Sequence, residues 1–267
     1  MAVVPPWTVD STLAGAVRPS PNHDERRGRA TPDSLVLHYT GMADEPSALA
    51  RLCDAASQVS CHYVVREDGS VCQLVPEARR AWHAGRSVWA GETDMNSASV
   101  GIEIVNGGHA FGLPRFPDRQ VAAVIALCRD VALRHGIAPA RVLAHSDIAP
   151  GRKQDPGERF PWAALAQDGV CLWVPPCDDA EAALACGVSG DEVAMLQADL
   201  ARYGYGLAAS RVYDDATAVV VSAFQRRFRP SRVDGIADTG TLDTLARLLE
   251  LRFAPLKVDR APARSPA

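Results

Sequence analysis

The chain has 267 residues, of which 47% are hydrophobic and 22% charged. That is enough apolar material for a real core, and the length suits two domains better than one. A formal net charge of −4 leaves no basic footprint for nucleic acid. No apolar run reaches the ~18 residues a membrane helix needs, and the stretch Met1 to Asp10 lacks a basic segment followed by an apolar one. Neither a membrane anchor nor a secretory signal is therefore expected.

Residues 1–30 are rich in Pro, Arg and Asn, lack sustained periodicity and read as an extended lead-in. SLVLHYT, residues 34–40, is an apolar run of core-strand length. Residues 47–56 show helical spacing through Ala48, Leu49, Leu52 and Ala55. HYVVREDGSVCQLV, residues 62–75, alternates on both sides of Asp68-Gly69, a hairpin signal. ASVGIEIVN, residues 98–106, predicts another strand. A helix follows over 119–135, spaced through Val121, Val124, Ile125, Cys128 and Val131 and stopped by Gly136. RVLAHSDIAPGRKQDPG gives a short strand and then a loop. Strands interleaved with helices predict an α/β domain over residues 1–165, with a mixed central sheet flanked by helices.

Residues 166–187, with Pro175-Pro176 and an acidic pair, predict a linker. Residues 188–252 contain three helical segments: one carrying Val193, Leu196 and Leu200 on a single face, then DDATAVVVSAFQRRF, then TGTLDTLARLLELR. They predict a small three-helix domain. Residues 253–267 read as a disordered tail.

The seven cysteines, Cys53, Cys61, Cys72, Cys128, Cys171, Cys177 and Cys186, are odd in number and irregularly spaced, with no Cys-x-x-Cys pair. That argues against a disulfide framework, a thiolate metal site or a redox motif. Unpaired thiols without an export signal favour the cytoplasm, with the periplasm or cell envelope as the alternative.

The histidines carry the first chemical signal. His38 and His145 each end an apolar strand, and Asp155 follows ten residues after His145 in a Gly/Pro-rich loop. Two imidazoles and one carboxylate make a three-ligand set that keeps a fourth position for water, as catalytic zinc sites do. On spacing alone, each histidine reads better as an ordinary core or surface residue than as a ligand. His23, in the lead-in, and His135, at a helix end, qualify less well. Strand alternation turns Ile102 and Ile104 one way and Glu103 the other. Glu103 is then either on a solvated face or a general base whose pKa partial burial raises. Lys153 is either a solvent lysine or a group that steadies an oxyanion.

LHYT, SVGIEIVN and AHSDIAPGRKQDPG, in this order, resemble the zinc-dependent N-acetylmuramoyl-L-alanine amidase family, and CHYVVREDGSVCQLVPEARRAWHAGRSVW resembles its bacterial members. The resemblance covers residues 33–162. It implies Zn2+ as cofactor, metal ligands at His38, His145 and Asp155, the catalytic glutamate at Glu103 and the loop lysine at Lys153. VAMLQADLARYGY with the AFQRRF and VDGIADTGT elements resembles the three-helix peptidoglycan-binding domain. The expected reaction is hydrolysis of the amide joining N-acetylmuramic acid, or its 1,6-anhydro form, to L-alanine. The expected role is cell-wall recycling with a broad substrate range.

Candidate substrate contacts are Trp82 and His83 in AWHAG, Arg86 for a stem-peptide carboxylate, and Asn106. Loop packing is the alternative for the first two and a turn cap for Asn106. The expected partners are peptidoglycan fragments or muropeptides, with no nucleic acid and no membrane anchor, and the chain is expected to be a monomer. A non-catalytic recognition protein of the same fold would show a broken ligand set, and a purely structural zinc site would show a fourth protein ligand. Another zinc hydrolase class would show a His-Glu-x-x-His helix. The sequence has none of these.

Overall fold

A computed structural model describes residues 7–181 and 183–254. Its centre is a six-stranded sheet made of β1 (Ala14–Val17), β3 (Ser34–Tyr39), β4 (Tyr63–Val65), β5 (Val71–Gln73), β7 (Ser99–Ile104) and β8 (Val142–Ala144). The strand order is β1-β5-β4-β7-β3-β8. β4 and β5 form the antiparallel hairpin expected around Asp68-Gly69, where Gly69 takes φ +85°. The other neighbours in this sheet run parallel. A separate antiparallel ribbon pairs β2 (His23–Glu25) with β6 (Arg79–Ala81). The lead-in, read from sequence as simply extended, thus supplies two strands. Their partners lie more than fifty residues further along, where no local period reveals them.

Period-two alternation divides the sheet into two faces. Leu35, Leu37, Val100, Ile102 and Ile104 point to α3 (Asp118–His135) and pack on its Val124, Leu127, Cys128 and Val131. Gly136 ends that helix in the left-handed region, at φ +66°. The opposite face is covered in pieces. Val64 and Cys72 pack against Leu49 and Leu52 of α1 (Glu45–Leu52). This helix starts two residues earlier than its apolar spacing suggests, because Asp44 caps it by accepting from Ser47 N at 2.8 Å. It stops at Leu52, and a separate 3-10 turn begins at Ala55. Val36 and Leu143 join a cluster that also contains Trp89 and the C-terminal helices.

Those helices are α6 (Asp191–Tyr203), α7 (Asp215–Phe228) and α8 (Thr239–Phe253). The last two share one start device, in which an aspartate accepts from the backbone N–H of a threonine three residues on. Asp214 receives Thr217 N and Asp238 receives Thr241 N, each at 2.9 Å. Three short α-helices, α2 (Met95–Ala98), α4 (His145–Ile148) and α5 (Trp162–Gln167), and two further 3-10 turns, His109–Phe111 and Pro139–Arg141, complete the described elements. α5 runs into the segment expected to be a linker, and Val170 and Cys171 beyond it are buried in the α3-side core. Apart from residues 253 and 254, the expected disordered tail lies outside the described residues. The seven cysteines are unpaired. No described helix is long and apolar enough to cross a membrane.

Candidate active site

β7, β3 and β8 are adjacent parallel strands, and the site forms at their carboxyl ends, where open α/β sheets present ligands. Register sets the first placement: His38 of β3 pairs directly with Glu103 of β7. Leu37 pairs with Ala144 of β8, so His145 emerges beside His38 as the first residue of the α4 turn rather than as the last of the strand. Both His38 and Glu103 lie on the face away from α3. The 149–155 loop then returns Asp155 to the two histidines, held by a Ser146 N to Asp155 O bond of 3.0 Å.

Three donor atoms converge. His38 Nδ1 and His145 Nδ1 lie 2.8 Å apart, and each is 2.9 Å from Asp155 Oδ2. All three residues are buried, and they are the one metal-competent group of this kind among the described residues. The outward nitrogens are already engaged. His145 Nε2 faces the Ala84 carbonyl at 3.0 Å, and a proton held there would turn the Nδ1 lone pair toward a metal. His38 Nε2 faces His83 Nδ1 at 3.0 Å, and His83 Nε2 faces Ser99 Oγ at 3.3 Å. If His38 Nε2 donates to His83, and His83 in turn to Ser99, His38 Nδ1 is likewise a free lone pair.

Charge agrees with geometry. Burial, reinforced by His145 alongside, pushes the His38 pKa down to about 4 in spite of Asp155. Without metal, burial works against the Asp155 charge, but neighbouring His145 and the hydrogen bonds from both histidines hold this carboxyl far below its usual range. A neutral imidazole at His38 and an ionised carboxylate are the forms that ligate a metal. Tetrahedral zinc with bonds of ~2.0–2.1 Å wants its donors ~3.3 Å apart, a small outward movement from the distances found here. The donor set therefore fits zinc.

Glu103 stands beside this triangle. Its Oε2 is wholly covered and has no hydrogen-bond partner. Burial raises its pKa well above the ordinary value, the Asp155 charge raises it further, and Lys153 partly opposes both. Lys153 has no ion-pair partner among the described residues. Both residues line a cavity of about 450 Å³ that also contains His38, His145 and Asp155.

Residues 28–158 match the N-acetylmuramoyl-L-alanine amidase family, and residues 189–245 match a peptidoglycan binding domain family. The chain is 41% identical to the N-acetylmuramoyl-L-alanine amidase AmiD of Escherichia coli K12 over 234 residues, 81% of this chain and 82% of that one. The chain belongs to the N-acetylmuramoyl-L-alanine amidase family. It is also 35% identical to the 1,6-anhydro-N-acetylmuramyl-L-alanine amidase AmpD of the same strain, over 57% of this chain and 90% of AmpD. Among solved structures, E. coli AmiD in complex with anhydro-N-acetylmuramic acid-L-Ala-D-γ-Glu-L-Lys superposes with a TM-score of 0.71 at 37% identity, covering 86% of this chain and 98% of that one. AmpDh3 of Pseudomonas aeruginosa gives 0.69 at 29% identity, covering 93% and 100%.

The four substrate contacts expected for the amidase separate in the structure. Trp82 lines the cavity, oriented by a 2.9 Å bond from its Nε1 to Asp24 Oδ1. His83 touches the cavity but sits mainly behind His38, as its hydrogen-bond partner. Arg86 does not line the cavity, and its carbonyl serves instead as an acceptor for Arg152. Asn106 is buried and fully engaged: its Nδ2 donates to Pro114 O and its Oδ1 accepts from Gly108 N, both at 2.9 Å. It holds the 107–114 loop and does not line the cavity.

Sequence reasoning passed over Arg51 and Arg152, the two guanidinium groups that do line the cavity. Arg152 is occupied in holding the AWHAG loop through Ala84 O and Arg86 O. Arg51 follows the buried Ala48-Leu49 pair on α1, and its position next to that apolar stripe is the signal that could have found it.

His83 also explains a glycine. A Cβ at Gly101 would lie 2.4 Å from His83 Cγ, so β7 leaves a gap that the imidazole fills. Gly101→Ala is expected to displace His83 and weaken metal affinity by ~10–100-fold, the usual cost of losing an outer-shell partner. Competition against a chromophoric chelator measures this, and an unchanged affinity would show that His83 does not hold His38.

Proposed function

We propose that this chain is a zinc hydrolase that cleaves the amide between N-acetylmuramic acid, or its 1,6-anhydro form, and the L-alanine of peptidoglycan fragments. The observation that carries the reading is the convergence of His38, His145 and Asp155 next to the unpartnered carboxylate of Glu103. Zinc held by these three residues would supply Lewis acidity toward water and toward an amide carbonyl.

The chain's own residues do the rest. Glu103, with a raised pKa and a free Oε2, accepts the proton of the attacking water. It returns that proton to the departing L-alanine nitrogen, which the C–N cleavage leaves as an amine. Lys153, in the same cavity, offers a cation to the carbonyl oxygen as it gains negative charge. Trp82 walls the sugar or stem-peptide side, and Arg51 offers a cation to a stem-peptide carboxylate. AmiD, whose solved complex holds an anhydro-muramyl peptide, and AmpD, named for the anhydro substrate, support soluble muropeptides of cell-wall recycling as the substrate class. A broad enzyme would take both muramic forms. The C-terminal module supports contact with the polymer as well.

Seven unpaired thiols support a reducing compartment, hence the cytoplasm, with the cell envelope as the alternative. Cell fractionation separates the two, and sedimentation tests the expected monomer.

The decisive experiment is hydrolysis of two matched soluble muropeptides, one anhydro and one reducing, before and after chelation and after zinc is restored. Release of free L-alanine peptides that follows zinc is the expected result. If zinc-loaded protein binds muropeptide but cuts neither substrate nor intact sacculi, a recognition protein of the same fold replaces this reading.

A further inference from the structure

The C-terminal module does not sit on the catalytic domain as a tethered neighbour would. Trp89, from the loop after AWHAG, is fully buried and packs edge-on against Tyr203 and Tyr205, with ring centroids 5.9 and 5.1 Å away. Trp89 and Tyr205 are also joined as an isolated antiparallel bridge, and Ala90 N bonds to Gly204 O at 2.7 Å. Three glycines are shaped to this contact. A Cβ at Gly204 would meet the Trp89 ring at 2.6 Å, and one at Gly206 would meet Val88 at 2.9 Å. From the other side, a Cβ at Gly151 in the Asp155 loop would meet Val219 of α7 at 2.8 Å. One apolar cluster runs through both halves, from Val36 and Leu143 of the sheet to Phe224 and Phe228 of α7.

At the centre of this contact is a buried carboxylate two residues after His145. Asp147 is fully covered. Its Oδ2 accepts from Ala144 N at 2.9 Å, which closes the α4 turn that presents His145. The same oxygen receives Arg227 Nη1 of α7 at 2.6 Å, and Oδ1 receives Tyr205 Oη at 2.9 Å. Arg227 is itself buried. Its guanidinium lies 4.0 Å over the Trp162 ring, and its Nη2 donates to Leu172 O. Thus the carboxylate that shapes the His145 turn is oriented by two donors, both supplied by the C-terminal module.

We propose that the module is a fixed part of the catalytic unit, with Arg227 and Tyr205 as positioning residues that hold the metal ligand His145 through Asp147. A buried carboxylate stripped of its partners must turn toward other donors. That turn gives up the Ala144 N bond, reopens the Ala144–Asp147 turn and lets His145 drift from His38 and Asp155. The proposal rests on the metal reading given above, so the experiment tests the two separately.

Full-length wild type, Arg227→Met, Arg227→Lys, Tyr205→Phe and a surface control, Glu250→Gln, are compared by three readouts. These are zinc affinity from chelator competition, the visible spectrum of the cobalt-substituted protein, and kcat and KM on a soluble muropeptide too small to bridge to the module. Circular dichroism confirms folding. Expected for Arg227→Met is zinc affinity lower by roughly tenfold or more, altered cobalt bands and a fall in kcat larger than any change in KM. Arg227→Lys restores part of each, and Glu250→Gln changes none. If Arg227→Met does not fold, Tyr205→Phe removes a donor to the same carboxylate while keeping the ring, and is judged by the same readouts. A folded variant with wild-type zinc affinity, spectrum and kcat overturns the positioning role. Failure of wild type to bind zinc overturns the metal reading instead.

Discussion

Glu103→Gln is expected to lower kcat by ~10²–10⁴-fold, the usual contribution of a positioned general base, while leaving zinc affinity and KM near wild type. The amide keeps the shape of the side chain but cannot take a proton from water. Separation of activity from metal content is the informative part, because loss of both together would make Glu103 a structural support. Stability adds a second signature, because burial raises the Glu103 pKa in the metal-free protein. The folded protein holds this proton more tightly than the unfolded chain, so the contribution is present below the unfolded pKa of ~4.3 and is lost as pH rises through the folded value. Metal-free Glu103→Gln should then melt higher than metal-free wild type at neutral pH, with the difference vanishing under acid conditions. Thermal melts at pH 7 and near pH 4 test this.

Asp155→Ala should abolish zinc binding at micromolar metal and activity with it, a loss larger than the ~10–100-fold that follows removal of an outer-shell partner. Asp155 Oδ2 lies 2.9 Å from Nδ1 of each imidazole. Without it, two lone-pair nitrogens 2.8 Å apart face one another with no ionised group to balance a dication. Metal titration of the variant by calorimetry measures the loss. Retention of tight, stoichiometric zinc would show that another donor completes the site.

Much of this site was legible in the sequence because two of its determinants are local. Alternation in SVGIEIVN fixes the side of the strand on which Glu103 emerges, and the apolar runs ending at His38 and Ala144 place the two histidines at strand ends. What escaped the sequence was decided by distant partners. β1, with the sequence AGAV, has little strand character of its own and exists because β5 offers it an open edge. Asn106 looked available, yet the 107–114 loop takes both ends of its amide. Arg86 looked suited to a carboxylate, but it does not line the cavity and Arg51 does. His83 belongs behind a ligand rather than on the substrate, and only the gap at Gly101 explains that. The expected linker carries no apolar period, yet Val170 and Cys171 find core positions.

The pairing of His38 with Glu103 has a consequence for how this protein tolerates change in length. Side chains on a strand alternate with period two, so one residue added within β7 ahead of Glu103 would turn the carboxylate into the oily layer above α3 and aim an isoleucine at the attacking water. Residues added in a turn between elements carry no such penalty: extra length in the 66–70 turn of the β4–β5 hairpin leaves the pairing of β7 untouched. Insertions should therefore accumulate between the strands, and the six residues of β7 should keep their length.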